Sequence, residues 1–373
     1  MTQDSYCVHG SLPFEPNTGS ITAPIYQSAT FRHPSLGVST GFDYTRAVNP
    51  TRSVLENTIA TLEGAKYGLA FATGMGAISC LAKLFNSGDH VVVSEDLYGG
   101  TYRLFVGYYA KYGITFTFAD TSDLAAVEAA LKPNTKALFV ETPSNPMMKI
   151  SDIKACGELI HARGGALIVD NTFLTPYFQN PLRFGADYVV HSGSKYLSGH
   201  NDTLAGLIAH SNDETAKALQ DAQMSEGASL SPFDAWLVLR GIKTLAIRMR
   251  KHQENGFAVA EFLRTHSRVE RVFYAGFTPH AQSRGSNGMV SFYMKTADEA
   301  KLALERVKMI LFAESLGGVE SLITYPIVQT HSAIPEAMRV SAGINDRLLR
   351  LSAGIEDSAD IIADLDQALQ QGI

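Results

Sequence analysis

The chain has 373 residues, of which 45% are hydrophobic, so it can bury the core of a folded protein with two or more lobes and is not disordered. Its formal net charge is −6, from 31 basic and 37 acidic residues, and it has no long basic run. This composition argues against a nucleic-acid or anionic-membrane partner and favours a small-molecule ligand.

The sequence also gives no sign of a membrane span, a disulfide framework or a metal site. No apolar run reaches the roughly 18 to 20 residues that a membrane helix needs, and residues 1–10 lack a basic start followed by an apolar stretch. We therefore expect a cytoplasmic protein. The cysteines at 7, 80 and 156 are too scattered for disulfides, and we expect Cys80 and Cys156 to be buried. The histidines form no metal-binding motif, so we expect no metal.

Residues 1–48 are rich in Pro, Thr, Ser and Gly and show little periodicity. A segment of this length without a core of its own must pack against something else. We predict an N-terminal arm over 1–48 that lies on a partner subunit.

Residues 49–240 alternate short apolar runs with amphipathic stretches, which predicts mainly parallel strands joined by helices. The first helix is predicted over Pro50–Glu63, with Asn49 as its N-cap and Gly64 as its end. The strands of one large sheet are predicted over 69–72, 90–94, 114–118, 136–141, 166–170, 186–191 and 204–209.

Residues 241–373 predict a smaller α/β domain with a different order of elements. The predicted elements are a helix over 247–265, strands over 269–273 and 289–293, a helix over 297–308, a short apolar run over 309–312, a strand over 348–352 and a helix over 357–370.

Glycine and polar residues follow several predicted strands of the large sheet directly. They are Gly74-Met75, Tyr98, Asn145, Asp170 and Ser192–Lys195. Because ligands gather at the carboxyl ends of strands in open α/β sheets, these residues are expected to converge on one crevice. The run Gly74-Met75-Gly76 superficially suggests a dinucleotide fingerprint, but Ser79 stands at its third glycine, which disfavours a nicotinamide-dependent oxidoreductase.

Lys195 and Asp170 indicate the chemistry of this crevice. Pyridoxal 5'-phosphate (PLP) requires a lysine that forms a Schiff base with its aldehyde and an aspartate that keeps its pyridine nitrogen protonated. Lys195 lies among the small hydroxyl residues Ser192 and Ser194, which suit the phosphate, and it follows the strand end at Asp170 by about 25 positions.

Short motifs along almost the whole chain match one enzyme family in order. They are Tyr44-Thr45-Arg46, Asn49-Pro50-Thr51-Arg52, Thr73-Gly74-Met75, Asp96-Leu97-Tyr98-Gly99-Gly100-Thr101, Glu141-Thr142-Pro143-Ser144-Asn145-Pro146, Val169-Asp170-Asn171-Thr172-Phe173, the Lys195 segment with Gly199-His200, Ala313-Glu314-Ser315-Leu316-Gly317-Gly318, Gln329-Thr330-His331 and Leu349-Arg350-Leu351-Ser352. With them the chain resembles the cystathionine synthase and lyase group, the Cys/Met metabolism branch of the aspartate-aminotransferase-like PLP enzymes. The resemblance implies fold type I, with a PLP-binding domain over 49–240 and a C-terminal domain over 241–373.

The resemblance implies a role for each of a set of cofactor residues. Lys195 carries PLP and moves protons, Asp170 pairs with the pyridinium, Tyr98 stacks on the ring and Asn145 bonds the phenolic oxygen. The phosphate is implied to bind Gly74, Met75, Ser192 and Ser194, together with Tyr44 and Arg46 of a neighbouring subunit. The implied assembly is a homotetramer built as a dimer of dimers.

For the substrate, the resemblance implies that Arg350 grips the carboxylate with help from Ser315 and Asn145. Glu314 stands where relatives that react at the γ-carbon carry glutamate, and Gly100 stands where methionine γ-lyases usually have cysteine. The histidine-containing connection near 274–287 is shorter than usual, which suggests an altered active-site entrance.

These features favour a cystathionine γ-synthase-like reaction between an O-acyl-homoserine and cysteine, without choosing the acyl group. Cystathionine γ-lyase, β-lyase and O-acetylhomoserine sulfhydrylase activities remain open, with cystathionine as substrate of the two lyases. A catalytically silent interaction protein of the same fold is the alternative from another class, and the intact set of Lys195, Asp170, Tyr98 and Arg350 disfavours it.

Overall fold

The computed structural model describes residues 1–11 and 14–370 and contains two sheets flanked by helices. In chain order the strands are β1 (Tyr67–Phe71), β2 (His90–Ser94), β3 (Thr115–Ala119), β4 (Thr135–Glu141), β5 (Ala166–Asp170), β6 (Tyr188–Ser192), β7 (Gly206–His210), β8 (Val269–Phe273), β9 (Met289–Met294), β10 (Leu311–Phe312), β11 (Leu322–Thr324) and β12 (Leu348–Ser352).

The helices lie between these strands and at both ends of the described chain. In chain order they are α1 (Gln3–His9), α2 (Pro50–Glu63), α3 (Gly74–Ala82), α4 (Gly99–Gly107), α5 (Leu124–Ala130), α6 (Ile153–His161), α7 (Thr175–Phe178), α8 (Asp213–Glu226), α9 (Pro232–Ile242), α10 (Leu245–Thr265), α11 (Ala297–Arg306), α12 (Glu336–Ser341) and α13 (Ser358–Leu369). Short 3-10 helices span Tyr109–Tyr112, Pro181–Phe184 and Ala275–Phe277. Within the described ranges no helix is long and apolar enough to cross a membrane.

The larger sheet has the strand order β1-β7-β6-β5-β4-β2-β3, which confirms the single seven-stranded sheet predicted from the sequence. Its central strands are rich in Val, Ile and Leu because helices cover both faces, and every residue of β2 is buried. The strands β2 to β6 run parallel, whereas β7 pairs antiparallel with both β1 and β6. An antiparallel neighbour needs no helical crossover, so β6 and β7 are joined by a loop, and that loop carries Lys195.

The helix α2 has the bounds and punctuation that the sequence predicts. The Asn49 side chain accepts hydrogen bonds from the backbone N–H groups of Thr51 at 3.0 Å and Arg52 at 3.3 Å. Gly64 ends the helix with a φ of 70°, in the left-handed region that glycine adopts without strain.

The smaller sheet has the order β10-β11-β12-β9-β8 and lies in the C-terminal part of the chain. Its core includes residues of α11, α13 and the second half of α10. The first half of α10 instead packs with α2 and α9 in the core beneath the larger sheet. Because α10 contributes to both cores, the domain boundary after residue 240 stays a prediction.

The first residues of the chain pack on their own subunit, and the arm over 1–48 that lies on a partner subunit stays a prediction. Cys7 of α1 is 1% exposed and belongs to the core that also contains α2 and α10 residues. The Gln3 amide donates to the carbonyl oxygens of Leu62 and Pro176, each at 2.8 Å. Residues 14–48 contain no helix or strand, and Leu36 there is fully exposed. Only this later stretch retains the character of an arm.

Candidate active site

A cavity of about 270 Å³ lies at the carboxyl ends of β4, β5 and β6, where the two sheets meet. Most of the predicted site residues line it, from both parts of the chain: Gly74, Met75, Tyr98, Asn145, Asp170, Ser192, Ser194, Lys195, Glu314, Ser315 and Arg350. The convergence predicted from the sequence is therefore present within one chain for all of them except Tyr44 and Arg46.

Lys195 reaches this cavity from the loop after β6. Its Nζ donates a hydrogen bond to Ser315 Oγ at 2.8 Å. Burial and, to a smaller extent, the charge of Arg350 lower the pKa of the Lys195 amine from 10.5 to about 8, although Glu314 acts in the opposite direction. An amine with this pKa is partly neutral near physiological pH and can act as a nucleophile or a base.

Asp170 ends β5 and presents a carboxylate with one free oxygen. Its Oδ1 accepts hydrogen bonds from the Thr172 N–H at 3.0 Å and the Thr172 hydroxyl at 2.6 Å. The Ser192 N–H donates in turn to Thr172 Oγ1 at 2.8 Å, which fixes the hydroxyl. No donor among the described residues reaches Oδ2, and burial raises the pKa of Asp170. A half-buried carboxylate whose pKa is raised by desolvation is stabilised by a nearby cation.

Arg350 lies in the middle of β12 and is 1% exposed. Its Nη1 donates to Asn145 Oδ1 at 2.8 Å, and its Nη2 donates to the Ser315 carbonyl at 3.0 Å. Its Nε has no partner, and none of the described carboxylates forms an ion pair with it. Burial lowers the pKa of Arg350 to about 10. A buried guanidinium held only by neutral oxygens is suited to an anionic ligand.

Ser315 links the two cations through an unusual backbone conformation. Its φ is 85°, in the left-handed region that residues other than glycine rarely adopt. In this conformation its hydroxyl accepts from Lys195 while its carbonyl accepts from Arg350. Strained backbone of this kind is often found at functional sites, because the surrounding structure must hold it in place.

Tyr98 stands at the start of α4 with its ring 41% exposed. A Cβ on Gly100 would lie 2.4 Å from Cε1 of the Tyr98 ring, so a larger residue at position 100 would displace the ring. A Cβ on Gly99 would lie 2.4 Å from the carbonyl oxygen of Thr330. These glycines therefore permit the close contacts that place Tyr98 over the cavity.

Glu141 is a cavity residue to which the sequence analysis gave no role. It ends β4, lies opposite Asp170 in the register of the sheet, and accepts the Tyr98 N–H at 3.0 Å through Oε2. Burial, together with the nearby charge of Asp170, raises the pKa of Glu141 well above its usual range. The available signal was its position, because Glu141 ends a buried strand just as Asp170 does.

The other end of the cavity is suited to a phosphate. The N-terminus of α3 presents the N–H groups of Gly74 and Met75, which have no acceptor within the helix. A Cβ on Gly74 would lie 3.1 Å from Ser192 Cβ, a tight contact that glycine avoids. The Ser194 hydroxyl, in contrast, accepts from the Ala205 N–H at 2.9 Å and donates to the Ala205 carbonyl. Ser192 is therefore the freer hydroxyl donor.

Tyr44 and Arg46 lie outside the Lys195 cavity in the single chain. The Arg46 guanidinium sits 5.6 Å from the centre of the Tyr44 ring, and its Nη1 donates to the Met224 carbonyl at 2.8 Å. Both residues line a separate surface depression. The role implied for them at the phosphate of a neighbouring subunit stays a prediction.

The connection between β8 and β9 also lies away from this cavity, and none of residues 274–287 lines it. The Gln282 amide donates to the Ser151 carbonyl at 2.9 Å, and the Arg284 N–H donates to the Phe178 carbonyl at 2.8 Å. The short connection thus packs on the larger domain and borders another depression, of about 610 Å³.

The donor groups of the cavity fit PLP. They provide an anion-binding helix N-terminus, a carboxylate with a free oxygen and an amine of lowered pKa within one cavity. A second cation, Arg350, is left over for another anion.

Comparison with known proteins identifies similar chains. A family model described as Cys/Met metabolism PLP-dependent enzyme matches residues 4–370. The chain is 49% identical over 354 residues to the cystathionine gamma-synthase/O-acetylhomoserine (thiol)-lyase of Bacillus subtilis, covering 95% of this chain and 92% of the relative. It is 43% identical over 371 residues to a cystathionine beta-lyase of Lactococcus lactis, covering 98% of each.

A solved structure agrees with these sequence matches. The crystal structure of cystathionine gamma-lyase from Lactobacillus plantarum, complexed with L-serine, has a TM-score of 0.95 at 41% identity, covering 99% of this chain and 98% of that chain. Together the three relatives carry the names of four reactions: cystathionine gamma-synthase, O-acetylhomoserine (thiol)-lyase, cystathionine beta-lyase and cystathionine gamma-lyase.

Proposed function

The chain belongs to the Cys/Met metabolism PLP-dependent enzymes, and from that premise we propose that it joins an O-acyl-homoserine to cysteine. In this reaction the thiolate sulfur replaces the acyloxy group at the γ-carbon, giving cystathionine and a free carboxylic acid. It is the reaction type of a cystathionine γ-synthase, on small amino-acid substrates.

The guanidinium of Arg350 is the observation that best supports an amino-acid substrate. It faces the same cavity as Lys195 and is held by Asn145 and Ser315, yet it has no carboxylate partner among the described residues. An α-amino acid bound there would place its carboxylate on Arg350 and its amino group towards Lys195. The Asn145 amide nitrogen remains free to add a further hydrogen bond.

When bound, PLP supplies an electron sink for the negative charge that develops on the substrate carbons. In our proposal the Lys195 amine would hold the cofactor and would move protons at Cα and Cβ of the substrate. Asp170 keeps the pyridine nitrogen protonated through its free oxygen. Gly74, Met75 and Ser192 hold the phosphate. 

Further residues complete the proposed cofactor site. Tyr98 stacks on the ring, Asn145 contacts the phenolic oxygen, and Ser194 supports the phosphate loop through its bonds to Ala205. Tyr44 and Arg46 bring positive charge to the phosphate of a partner subunit in a homotetramer of two dimers. We also propose a cytoplasmic location, in keeping with the amino-acid substrates.

Glu314 supports the choice of γ-chemistry. It lines the cavity, is exposed to solvent on its outer side, and precedes Ser315, which contacts both Lys195 and Arg350. A carboxylate at this position can accept a charge-assisted hydrogen bond from the distal amino group of cystathionine or from the incoming cysteine. The lyase and sulfhydrylase reactions remain the alternatives, because relatives with those names share the fold.

Product analysis tests the proposal. The purified enzyme would be given cystathionine alone, O-acetylhomoserine with cysteine, and O-acetylhomoserine with sulfide. We expect cystathionine from the second mixture at the highest rate. Faster release of pyruvate and homocysteine from cystathionine would replace the proposal with β-lyase activity, and faster release of 2-oxobutyrate and cysteine would replace it with γ-lyase activity.

A further inference from the structure

His331 lies between two segments that border the active-site cavity, and its side chain is 0% exposed. Its Nε2 lies 2.9 Å from the backbone carbonyl oxygen of Asn145, and its Nδ1 lies 2.7 Å from Thr330 Oγ1. Thr330 and Asn145 both line the cavity. The sequence motif Gln329-Thr330-His331 therefore meets the site, although none of its residues has a role in the chemistry described above.

These contacts determine the protonation of the imidazole. A carbonyl oxygen can only accept, so Nε2 must carry the proton and donate to Asn145. Nδ1 then has a lone pair, which accepts the hydroxyl proton of Thr330. Burial, aided by the charge of Arg350, lowers the pKa of His331 to about 3, so the ring stays neutral and keeps this one tautomer.

The hydrogen bonds continue from His331 to the guanidinium. The backbone carbonyl of Asn145 accepts a hydrogen bond from His331 Nε2, and its side-chain oxygen accepts one from Arg350 Nη1 at 2.8 Å. The turn that carries His331 is fixed from its other side, because Gln329 Oε1 accepts the Tyr325 N–H at 2.7 Å. The backbone of Thr330 and His331 also packs directly on Gly99, next to Tyr98.

We propose that His331 is a positioning residue that fixes Asn145, and through it Arg350, for the α-carboxylate of the amino-acid substrate. The inference rests on the proposed function, because it takes Arg350 as the carboxylate site. His331 itself touches neither substrate nor cofactor. Its function is to fix the position of Asn145 so that the fork of Arg350 is in place before the substrate arrives.

Two substitutions of His331 distinguish the contributions of its two ring nitrogens. The amide nitrogen of Gln in H331Q can occupy the place of Nε2 and still donate to Asn145. The amide of Asn in H331N is shorter and reaches the place of Nδ1 only, so the contact to Asn145 is lost. S332A is the matched control, because the Ser332 side chain is exposed on the same turn.

The experiment measures the affinity of the holoenzyme for two probes, and the change in cofactor absorbance reports their binding. The probes are L-homoserine and 3-aminopropanol, which is homoserine without its carboxylate. We expect H331N to weaken L-homoserine binding about tenfold, as for one lost net hydrogen bond, and to leave 3-aminopropanol unchanged. H331Q should restore the affinity to within roughly threefold of the wild type, and S332A should match the wild type.

The same assay separates this inference from the proposed function on which it rests. If R350A also binds L-homoserine as tightly as the wild type, the carboxylate role of Arg350 is wrong. If R350A loses affinity but H331N does not, or if H331N weakens both probes equally, only the positioning role of His331 is overturned. Should H331N fail to fold, T330V takes its place, since it removes the hydroxyl that donates to Nδ1 and orients the ring. Unchanged L-homoserine affinity in T330V would then contradict the proposal.

Discussion

Lys195 and Arg350 are two basic groups that share one cavity, and Arg350 changes the proton affinity of Lys195. The charge of Arg350 lowers the pKa of Lys195, which burial has already lowered. On the opposite wall Glu141 and Asp170 are neighbouring carboxylates whose pKa values are both raised. The site therefore holds groups whose proton-binding states differ from those in water, as acid–base chemistry at neutral pH requires.

The pKa of Lys195 gives a testable pH dependence for the apoenzyme. Its amine should react with an amine-directed reagent with a midpoint near pH 8, because burial disfavours the charged form. Peptide mapping after brief labelling at several pH values measures this midpoint, with the exposed Lys154 as the reference for reagent reactivity. Arg350→Ala should move the midpoint upward, since a repelling charge is removed. A Lys195 midpoint near pH 10.5 would contradict the lowered pKa.

The same amine also affects stability, and the sign follows from the direction of its shift. The folded apoenzyme holds the Lys195 proton less tightly than the unfolded chain does, since the pKa falls from 10.5 to about 8. Between these two pH values the unfolded state binds more protons, so this group makes the folded state more stable as the pH rises. Below about pH 8 the charged Lys195 amine destabilises the folded state to its full extent.

Arg350→Ala should weaken the binding of every amino-acid substrate and leave bound PLP in place. Removing one partner of a buried charged contact costs about 2–5 kcal/mol, which corresponds to roughly 30- to 4,000-fold in affinity. Titration of the holoenzyme with L-homoserine measures the loss. Arg347→Ala is the control, because Arg347 lies just before the same strand and pairs with Glu270 at the surface. Equal substrate affinity in the two variants would refute the role of Arg350.

Glu314→Ala tests the choice of reaction. Without the carboxylate that accepts from the distal amino group, γ-chemistry should fall relative to β-elimination. The ratio of pyruvate to 2-oxobutyrate from cystathionine should rise, while the cofactor absorbance stays the same. The exposed Glu320 nearby, which accepts from Asn201, offers a matched variant, Glu320→Ala, that should keep the wild-type ratio. An unchanged ratio in Glu314→Ala would remove Glu314 as the selecting residue.

At the scale of elements, the start of α4 shows how a helix end sets the position of a functional ring. Tyr98 is the N-cap residue of α4. Of the two glycines after it, Gly99 leaves room for the backbone of the Thr330 turn, and Gly100 leaves room for the ring of Tyr98. Glu141 of β4 accepts the Tyr98 N–H and fixes the same turn from below. The end of β4 and the start of α4 therefore jointly position the Tyr98 ring.

Gly100→Ala should disturb this arrangement. The added Cβ would lie 2.4 Å from Cε1 of Tyr98, so the ring must move. We expect a shifted cofactor absorbance and a lower kcat. Gly107→Ala in the same helix is the matched control, because the nearest atom to its added Cβ is Arg103 Cγ at 4.0 Å. That variant should keep the wild-type spectrum and gain up to about 1 kcal/mol of helix stability. Identical spectra for both variants would show that the ring is not held by this contact.

The sequence predicted most elements because their signals are local. The bounds of α2 follow from Asn49 and Gly64, and strands such as β2 follow from a short apolar run. The antiparallel direction of β7 was not predicted beyond a mostly parallel sheet, since an apolar run does not encode direction. The helix α1 was missed because it has only seven residues and one buried side chain, Cys7.

Prediction of the active-site residues from the sequence had a similar limit. Lys195 and Asp170 could be found from their neighbours in sequence, whereas Glu141 and His331 could not be given roles. Glu141 contacts a residue 43 positions away and His331 one 186 positions away, and no local pattern reports such contacts. Their importance became visible only when the sheets brought the segments together.

At the scale of the whole molecule, residues 14–48 lie largely exposed, and Tyr44 and Arg46 lie outside the cavity of their own chain. Mixing of inactive subunits tests whether they serve a partner. Parents Arg46→Ala and Lys195→Ala should each be inactive, and each hybrid dimer should contain one site with both residues intact. An equal mixture should recover about a quarter of the wild-type activity, because half of the dimers are hybrids with one working site of two.

The controls for this experiment are simple. Each parent mixed with itself should stay inactive, and differently tagged parents should show by co-purification that hybrids form. If hybrids form without activity, Arg46 acts in its own subunit or not at the phosphate.

The pairing of β1 with β7 has a consequence for the order in which the protein folds during synthesis. β1 is the edge strand of the larger sheet and pairs there with β7, while an isolated bridge joins Phe71 to Ser229 on its other side, so Tyr67–Phe71 has no partner strand in the described sheet until Gly206–His210 has been made. About 135 residues separate the two strands, which at roughly 5–20 residues per second takes a ribosome about 7 to 27 s. During that interval the nascent chain displays an unpaired apolar strand, and a chaperone that shields it would protect the chain from aggregation.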